Sequence, residues 1–143
     1  MSATKFAEIF DGLAEAYGVF KIEKTAANGK STGKAAILRE PRTMDLWEGH
    51  LSGKGTAIGI IPINEQNMCK WGCIDVDQYP LDHKALVERI RKLKLPLVVC
   101  RSKSGGAHCF LFTTDWVEAK DLQTTLQSAV SYTHLTLPTI LLV

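Results

Sequence analysis

The strongest constraint on the fold is the order of patterned segments from residue 69 onward. Cys69 to Val76 is short, apolar and rich in strand formers, with the polar turn Asn64 to Asn67 before it. Asp82 then stands where a helix N-cap accepts a backbone N–H. Leu86, Ile90 and Leu93 recur at helical spacing behind it, and Pro96 prevents continuation. Leu97 to Arg101 reads as a buried strand, Ser102 to Gly106 as a turn, and Ala107 to Thr113 as a returning strand. Asp115 is predicted to cap a last helix, with Glu118 completing a capping box and Leu122, Leu126 and Ala129 on the apolar face. Strand, helix, strand, strand, helix is the order of a βαββαβ, ferredoxin-like or RRM-like unit that lacks its final strand.

Upstream, Phe6, Ile9, Phe10, Leu13, Ala14 and Tyr17 recur at helical spacing, which predicts an amphipathic helix stopped by Gly18. Val19 to Ala36 alternates around Asn28-Gly29 and predicts a hairpin with its tip at Ala26 to Gly33. Thr43 caps a short helix carrying Met44, Trp47 and Leu51 on one face, Gly53 ends it, and a strand follows over Thr56 to Ile63. The expected fold class is therefore α+β: an N-terminal α/β unit over residues 1–68 and an incomplete RRM-like unit over residues 69–129.

Composition narrows the function classes only slightly. A 143-residue chain with 45% hydrophobic and 22% charged residues can bury one core of moderate size. A net charge of +2 is too mild to announce a nucleic-acid partner. Cys69, Cys73, Cys100 and Cys109 match no common zinc spacing and read as small buried hydrophobes. With no signal pattern after Met1, they suggest a reducing, cytoplasmic setting. Leu122 to Val143 is too polar to span a bilayer, so no membrane partner is expected. Gly29-Lys30-Ser31-Thr32 fails as a P-loop, because Lys24 stands where the first glycine is needed. Lys24, Lys30 and Lys34 form a basic hairpin tip, a solvated loop first and a template contact second. Trp47 and Trp71 could stack on bases but lie in patterned core segments.

The chemistry gathers in two places. Asp75 and Asp77 flank Val76, and alternation at a strand end sends both carboxylates to one face. Such a pair repels itself unless a cation lies between, and Mg²⁺ commonly takes one or two carboxylates with substrate phosphates as further ligands. Arg101-Ser102-Lys103-Ser104-Gly105-Gly106-Ala107-His108 follows on the neighbouring strand and turn. Glycines let backbone N–H groups approach a phosphate, Arg101, Ser102, Lys103 and Ser104 add charge and donors, and His108 can reach the same anion. Each piece has an ordinary structural alternative, a solvated turn for the acidic pair and a hydrogen-bonded framework role for the histidine. Their pairing favours a nucleotide site.

Cys73-Ile74-Asp75-Val76-Asp77 followed by Arg101 to His108 resembles the first two motifs of archaeo-eukaryotic primases, nearest to primase-polymerase domains of phages, plasmids and TOTE conflict systems. Met44 to Ile63, with a short helix ending near His50-Leu51-Ser52-Gly53, is similar to the segment before the acidic strand in that group. The resemblance covers roughly residues 40 to 113. It implies that Asp75 and Asp77 are ligands of two catalytic metals, Mg²⁺ or Mn²⁺. It also implies that Arg101, Ser102, Lys103, Ser104, Gly105, Gly106 and His108 bind a nucleoside triphosphate, with Asp75, Asp77 and His108 catalytic. The implied reaction is template-directed nucleotidyl transfer on a DNA template and primer, and the resemblance admits a helicase partner. Two other classes stay open: a non-catalytic RRM-like nucleic-acid-binding module, and another metal-dependent phosphate-handling enzyme.

The family's third acidic motif has no candidate here, because nothing acidic follows Asp121. Asp115 and Glu118 are read as caps instead. Residues 130–139 resemble a sequencing-library transposon adapter read through as protein. The alternative is a genuine apolar strand, which the local pattern also allows; with the adapter reading placed first, residues 130–143 are expected to be a non-native tail, His134 is given no chemistry, and the fragment is expected to be inactive or a poor catalyst.

Overall fold

The computed structural model describes residues 2–25, 31–102, 105–133 and 140–141. They fall into two compact units that divide between Gln66 and Asn67.

In the first unit, α1 (Ala3–Ile9) is capped by the Ser2 hydroxyl, which accepts from Lys5 N at 3.2 Å. β1 (Tyr17–Thr25) and β2 (Ser31–Leu38) form an antiparallel hairpin. α2 (Met44–Ser52) and the short β3 (Ala57–Gly59) follow, and the sheet runs in the order β2-β1-β3. The hairpin agrees with the alternating pattern, but Ser31 to Gly33, expected in its tip, belong to β2, with Gly33 opposite Ile22; residues 26–30 lie outside the described residues. Gly53 ends α2 at φ +69, the left-handed conformation that glycine enters without penalty. Thr43 is the N-cap of α2, but its side chain makes no capping hydrogen bond.

The opening helix is shorter than its spacing predicts. It ends at Ile9, and Tyr17 and Gly18 belong to β1. The cause is competition for the backbone after Phe10. Leu13 N donates to Ile61 O at 2.8 Å, Arg42 N donates to Ala14 O at 3.0 Å, and a Cβ on Gly12 would lie 2.1 Å from Ile61 O. Tertiary hydrogen bonds thus claim groups that an i to i−4 helix would need. The same use of Ile61 shortens the strand expected over Thr56 to Ile63 to three residues. Phe6 packs edge-on against the buried Trp47 with ring centroids 5.8 Å apart, so the apolar spacing of α1 still marks its contact face.

In the second unit, β4 (Met68–Val76), α3 (His83–Lys92), β5 (Val98–Arg101), β6 (Ala107–Glu118), α4 (Ala119–Thr133) and the two-residue β7 (Ile140–Leu141) build an antiparallel sheet in the order β5-β6-β4-β7. This is the strand order of a βαββαβ unit with its fourth strand beside its first. The final strand, expected to be missing, is represented by β7, which pairs Leu141 with Cys73 and Ile140 with Ile74. α4 continues through residues 130–133, whereas residues 134–139, His134 among them, lie outside the described residues.

Ile74, Val76, Ala107, Cys109 and Leu111 point to one face of the sheet. There they pack with Leu86 and Ile90 of α3 and with Leu122, Leu126 and Ala129 of α4. Ile74 and Leu126 are fully buried. Leu93, expected in this face, is 39% exposed. α3 stops at Lys92, the chain turns through Lys94 at φ +53, and Leu95 packs on the core instead.

The capping roles expected of Asp115 and Glu118 are also corrected, because both lie in β6. The strand runs five residues past Thr113 so that Val117 and Glu118 can pair with Cys69 and Met68. α4 begins only at Ala119, whose N–H donates to Asn67 O at 2.9 Å.

Asp82 does cap α3, accepting from Ala85 N at 3.0 Å. Asp82→Ala is expected to lower unfolding free energy by about 1 kcal/mol, the usual worth of such a cap, in urea or thermal denaturation.

Candidate functional site

The site is assembled by strand register. β4 and β6 pair so that Asp75 lies opposite His108, and β5 adds Cys100 opposite His108 on its other side. Residues directly opposite in an antiparallel ladder share a face, and neighbours along the strand take the other. Ile74, Val76, Ala107 and Cys109 face the helices, so Asp75 and His108 project from the opposite face. Two residues 33 positions apart in the chain thereby become neighbours, with His108 Nε2 3.5 Å from Asp75 Oδ1. Their side chains are 42% and 21% exposed, respectively, open enough to meet a ligand.

Asp77 lies just beyond the end of β4 and is exposed, and its Oδ1 accepts a hydrogen bond from the Tyr79 hydroxyl at 2.9 Å. Neither carboxylate is neutralised by a lysine or arginine among the described residues.

The glycine turn is closed from within. Ser102 N donates to Gly106 O at 2.9 Å, and Gly105 N donates to Ser102 O at 3.1 Å. Gly105 has φ +96, which a side chain would strain. Gly106 is buried, and a Cβ there would lie 2.2 Å from Val76 O. The two glycines therefore have different reasons to be glycine: one for its dihedral, the other for close backbone approach to the acidic strand. The Gly105 amide, expected to face a phosphate, is committed to closing the turn. Lys103 and Ser104 lie outside the described residues. Arg101 pairs with Ala107, so it leaves β5 on the face opposite that of His108, while Ser102 sits half-buried at the base of the turn.

Two features escaped the sequence reading. His83, the first residue of α3, places Nε2 2.9 Å from Gly106 O, and no local pattern marks it. Phe110 and Phe112 continue the His108 face along β6. Their rings stack at 5.7 Å, with His108 6.0 Å and Trp71 6.1 Å from Phe110. Alternation after His108 carries that signal.

Cys69, Cys73 and Cys109 are buried, as small hydrophobes should be, but Cys100 is exposed. The strand alternation that puts it opposite His108 takes it off the core face. Burial, reinforced by the neighbouring Cys109 thiol and the Asp75 carboxylate, pushes the Cys73 thiol up to about 12. Burial, with Cys100 and Asp75 adding to it, pushes Cys109 up to about 11. Both thiols stay protonated at neutral pH and are unsuited to nucleophilic or metal-ligand roles. Among the described residues no group of three or more His, Cys, Asp or Glu side chains gathers as a metal cage. The donor set that remains, two accessible carboxylates, fits a hard cation completed by water and phosphate oxygens rather than an all-protein site.

A helix-backed antiparallel sheet that presents Asp75 and His108 on its other face, with Asp77 just beyond the strand end, defines an RRM-like domain. The family model for the archaeo-eukaryotic primase domain of TOTE conflict systems matches residues 14–140, and the chain belongs to that family. The match extends on both sides of the segment whose motifs carry the resemblance, and membership implies, at the coarse level, a primase-like nucleotidyltransferase. No curated protein matches the chain. Among the described residues no helix is long and apolar enough to cross a membrane.

Proposed function

We propose that this chain carries the metal- and nucleotide-binding part of a primase-polymerase that transfers nucleotidyl groups from nucleoside triphosphates on a DNA template. The observation that carries the reading is the Asp75–His108 register, which joins the acidic motif to the phosphate motif on one sheet face.

The reaction is attack of a primer or initiating 3′-hydroxyl on the α-phosphorus, with pyrophosphate leaving. Mg²⁺ or Mn²⁺, held by Asp75 and Asp77, would activate that hydroxyl and offset charge on the phosphates. The protein's own groups supply position. Asp75 keeps the His108 ring at the strand end through Nε2, and the imidazole, when protonated on both nitrogens, donates from Nδ1 to a phosphate oxygen. Tyr79 restrains Asp77 through its hydroxyl. The closed turn fixes where β6 begins and so where His108 stands.

Binding of ATP should depend on Mg²⁺ or Mn²⁺, and His108→Ala should weaken it about tenfold, the loss expected for one charge-assisted hydrogen bond. Titration calorimetry with and without the cation measures both. Affinity that is unaffected by the cation and by the substitution would overturn the catalytic reading.

The half-buried pair Phe110 and Phe112, beside His108, supports a second reading, a non-catalytic RRM-like module that stacks bases on its sheet. Cation-independent binding of single-stranded DNA without triphosphate binding is its signature.

A further inference from the structure

We propose that His83 is a positioning residue of the nucleotide site: its Nε2–H holds the Gly106 carbonyl, and thereby fixes where β6 begins and how His108 stands against the acidic pair. The proposal rests on the nucleotide reading above.

A residue at the first position of a surface helix ordinarily turns its side chain to solvent. His83 is instead half-buried, and its ring reaches 23 residues along the chain to Gly106 O at 2.9 Å. That carbonyl already accepts from Ser102 N at 2.9 Å, so His83 does not rescue an unsatisfied group. A second donor on the same oxygen restricts the orientation of the peptide that leads into Ala107 and His108.

The surroundings explain why that peptide needs holding. Gly106 lies against Val76 O, the carbonyl between Asp75 and Asp77, with no room for even a methyl group. His83 follows Asp77 by six residues, immediately after the Asp82 cap. The contacts therefore close a ring: from Val76 through Asp77 to Tyr79, on to Asp82 and His83, across to Gly106, and back to Val76. The ring connects the segment that bears both carboxylates to the one that bears the phosphate donor. A triphosphate that must meet a cation on one side and His108 on the other tolerates displacement of only about 0.5 Å. His83 is the side chain that limits such displacement at the base of the turn.

The test uses the whole chain and three variants. His83→Ala removes the donor. His83→Gln offers an amide nitrogen at nearly the same reach, and His83→Asn offers one that stops a bond short. Amide hydrogen exchange at Ser102 and Gly105 is read in the ligand-free protein, and the Kd for ATP with Mg²⁺ is read by calorimetry. His83→Ala and His83→Asn should speed exchange and raise the Kd about tenfold each, the effect of one lost hydrogen bond, and His83→Gln should restore most of both. Unchanged exchange in His83→Ala overturns the proposal. So does faster exchange with an unchanged Kd, which would leave His83 a purely structural clasp. If the wild-type chain shows no Mg²⁺-dependent ATP binding, the nucleotide reading falls and takes the ligand role of His83 with it. The exchange result then still reports whether the clasp holds the turn.

Discussion

Asp75→Ala in the primase-polymerase proposed above is expected to reduce template-directed nucleotide incorporation by about a thousandfold or more, with little change in stability. The size follows from what the carboxylate would do. Polyphosphate chemistry at neutral pH needs a cation to offset charge at the reacting phosphate, and losing one of two carboxylate ligands removes several kcal/mol of that stabilisation. Little stability should be lost, because Asp75 meets His108 at 3.5 Å on a partly exposed surface, where ion pairs contribute about 0–1 kcal/mol. Primer extension with labelled deoxynucleotides, beside a thermal melt of the same variant, measures both. Asp75→Asn keeps the shape and loses the charge, so it should be as inactive. Equal activity in wild type and either variant would remove the catalytic role. A cation-dependent product other than an extended strand would instead identify another phosphate-handling enzyme.

Much of this arrangement is legible in the chain because it is local. Asp82 caps α3, Gly53 ends α2, and Leu122, Leu126 and Ala129 mark the buried stripe of α4, each by a rule that acts within a few residues. The acidic pair and the glycine turn are likewise local patterns. What the pattern misplaces is decided at a distance. α1 ends early because Ile61 and Arg42 take up backbone groups after it, and β6 overruns the expected cap at Asp115 because Met68 and Cys69 offer it partners. His83 is invisible for the same reason: its partner is a backbone carbonyl 23 residues away, and a carbonyl leaves no mark in a sequence. Arg101 shows the sharper limit. Its charge suits a phosphate ligand, yet charge says nothing of register, and the ladder pairs its backbone with the core residue Ala107, one step from the pair that Cys100 makes with His108.

Gly106→Ala should be the most destabilising single methyl group in the site. Its Cβ would lie 2.2 Å from Val76 O and 3.3 Å from Val76 C, and backbone atoms of a paired strand cannot rotate away as a side chain can. Relief requires β4 and β6 to separate where Val76 pairs with Ala107, beside the Asp75–His108 pair. Overpacking typically costs about 1–3 kcal/mol, and a contact with rigid backbone belongs at the upper end. For a unit of this size that corresponds to a fall in Tm of roughly 10–20 °C. Gly105→Ala is the instructive comparison, because nothing lies within 4 Å of its Cβ and only its φ of +96 opposes the change. Its cost should be smaller, about 1–2 kcal/mol, and purely conformational. Circular dichroism melts of the two variants separate these causes. If Gly106→Ala melts no lower than Gly105→Ala, the turn does not press against the acidic strand. Asp75 and His108 would then be held together by register alone.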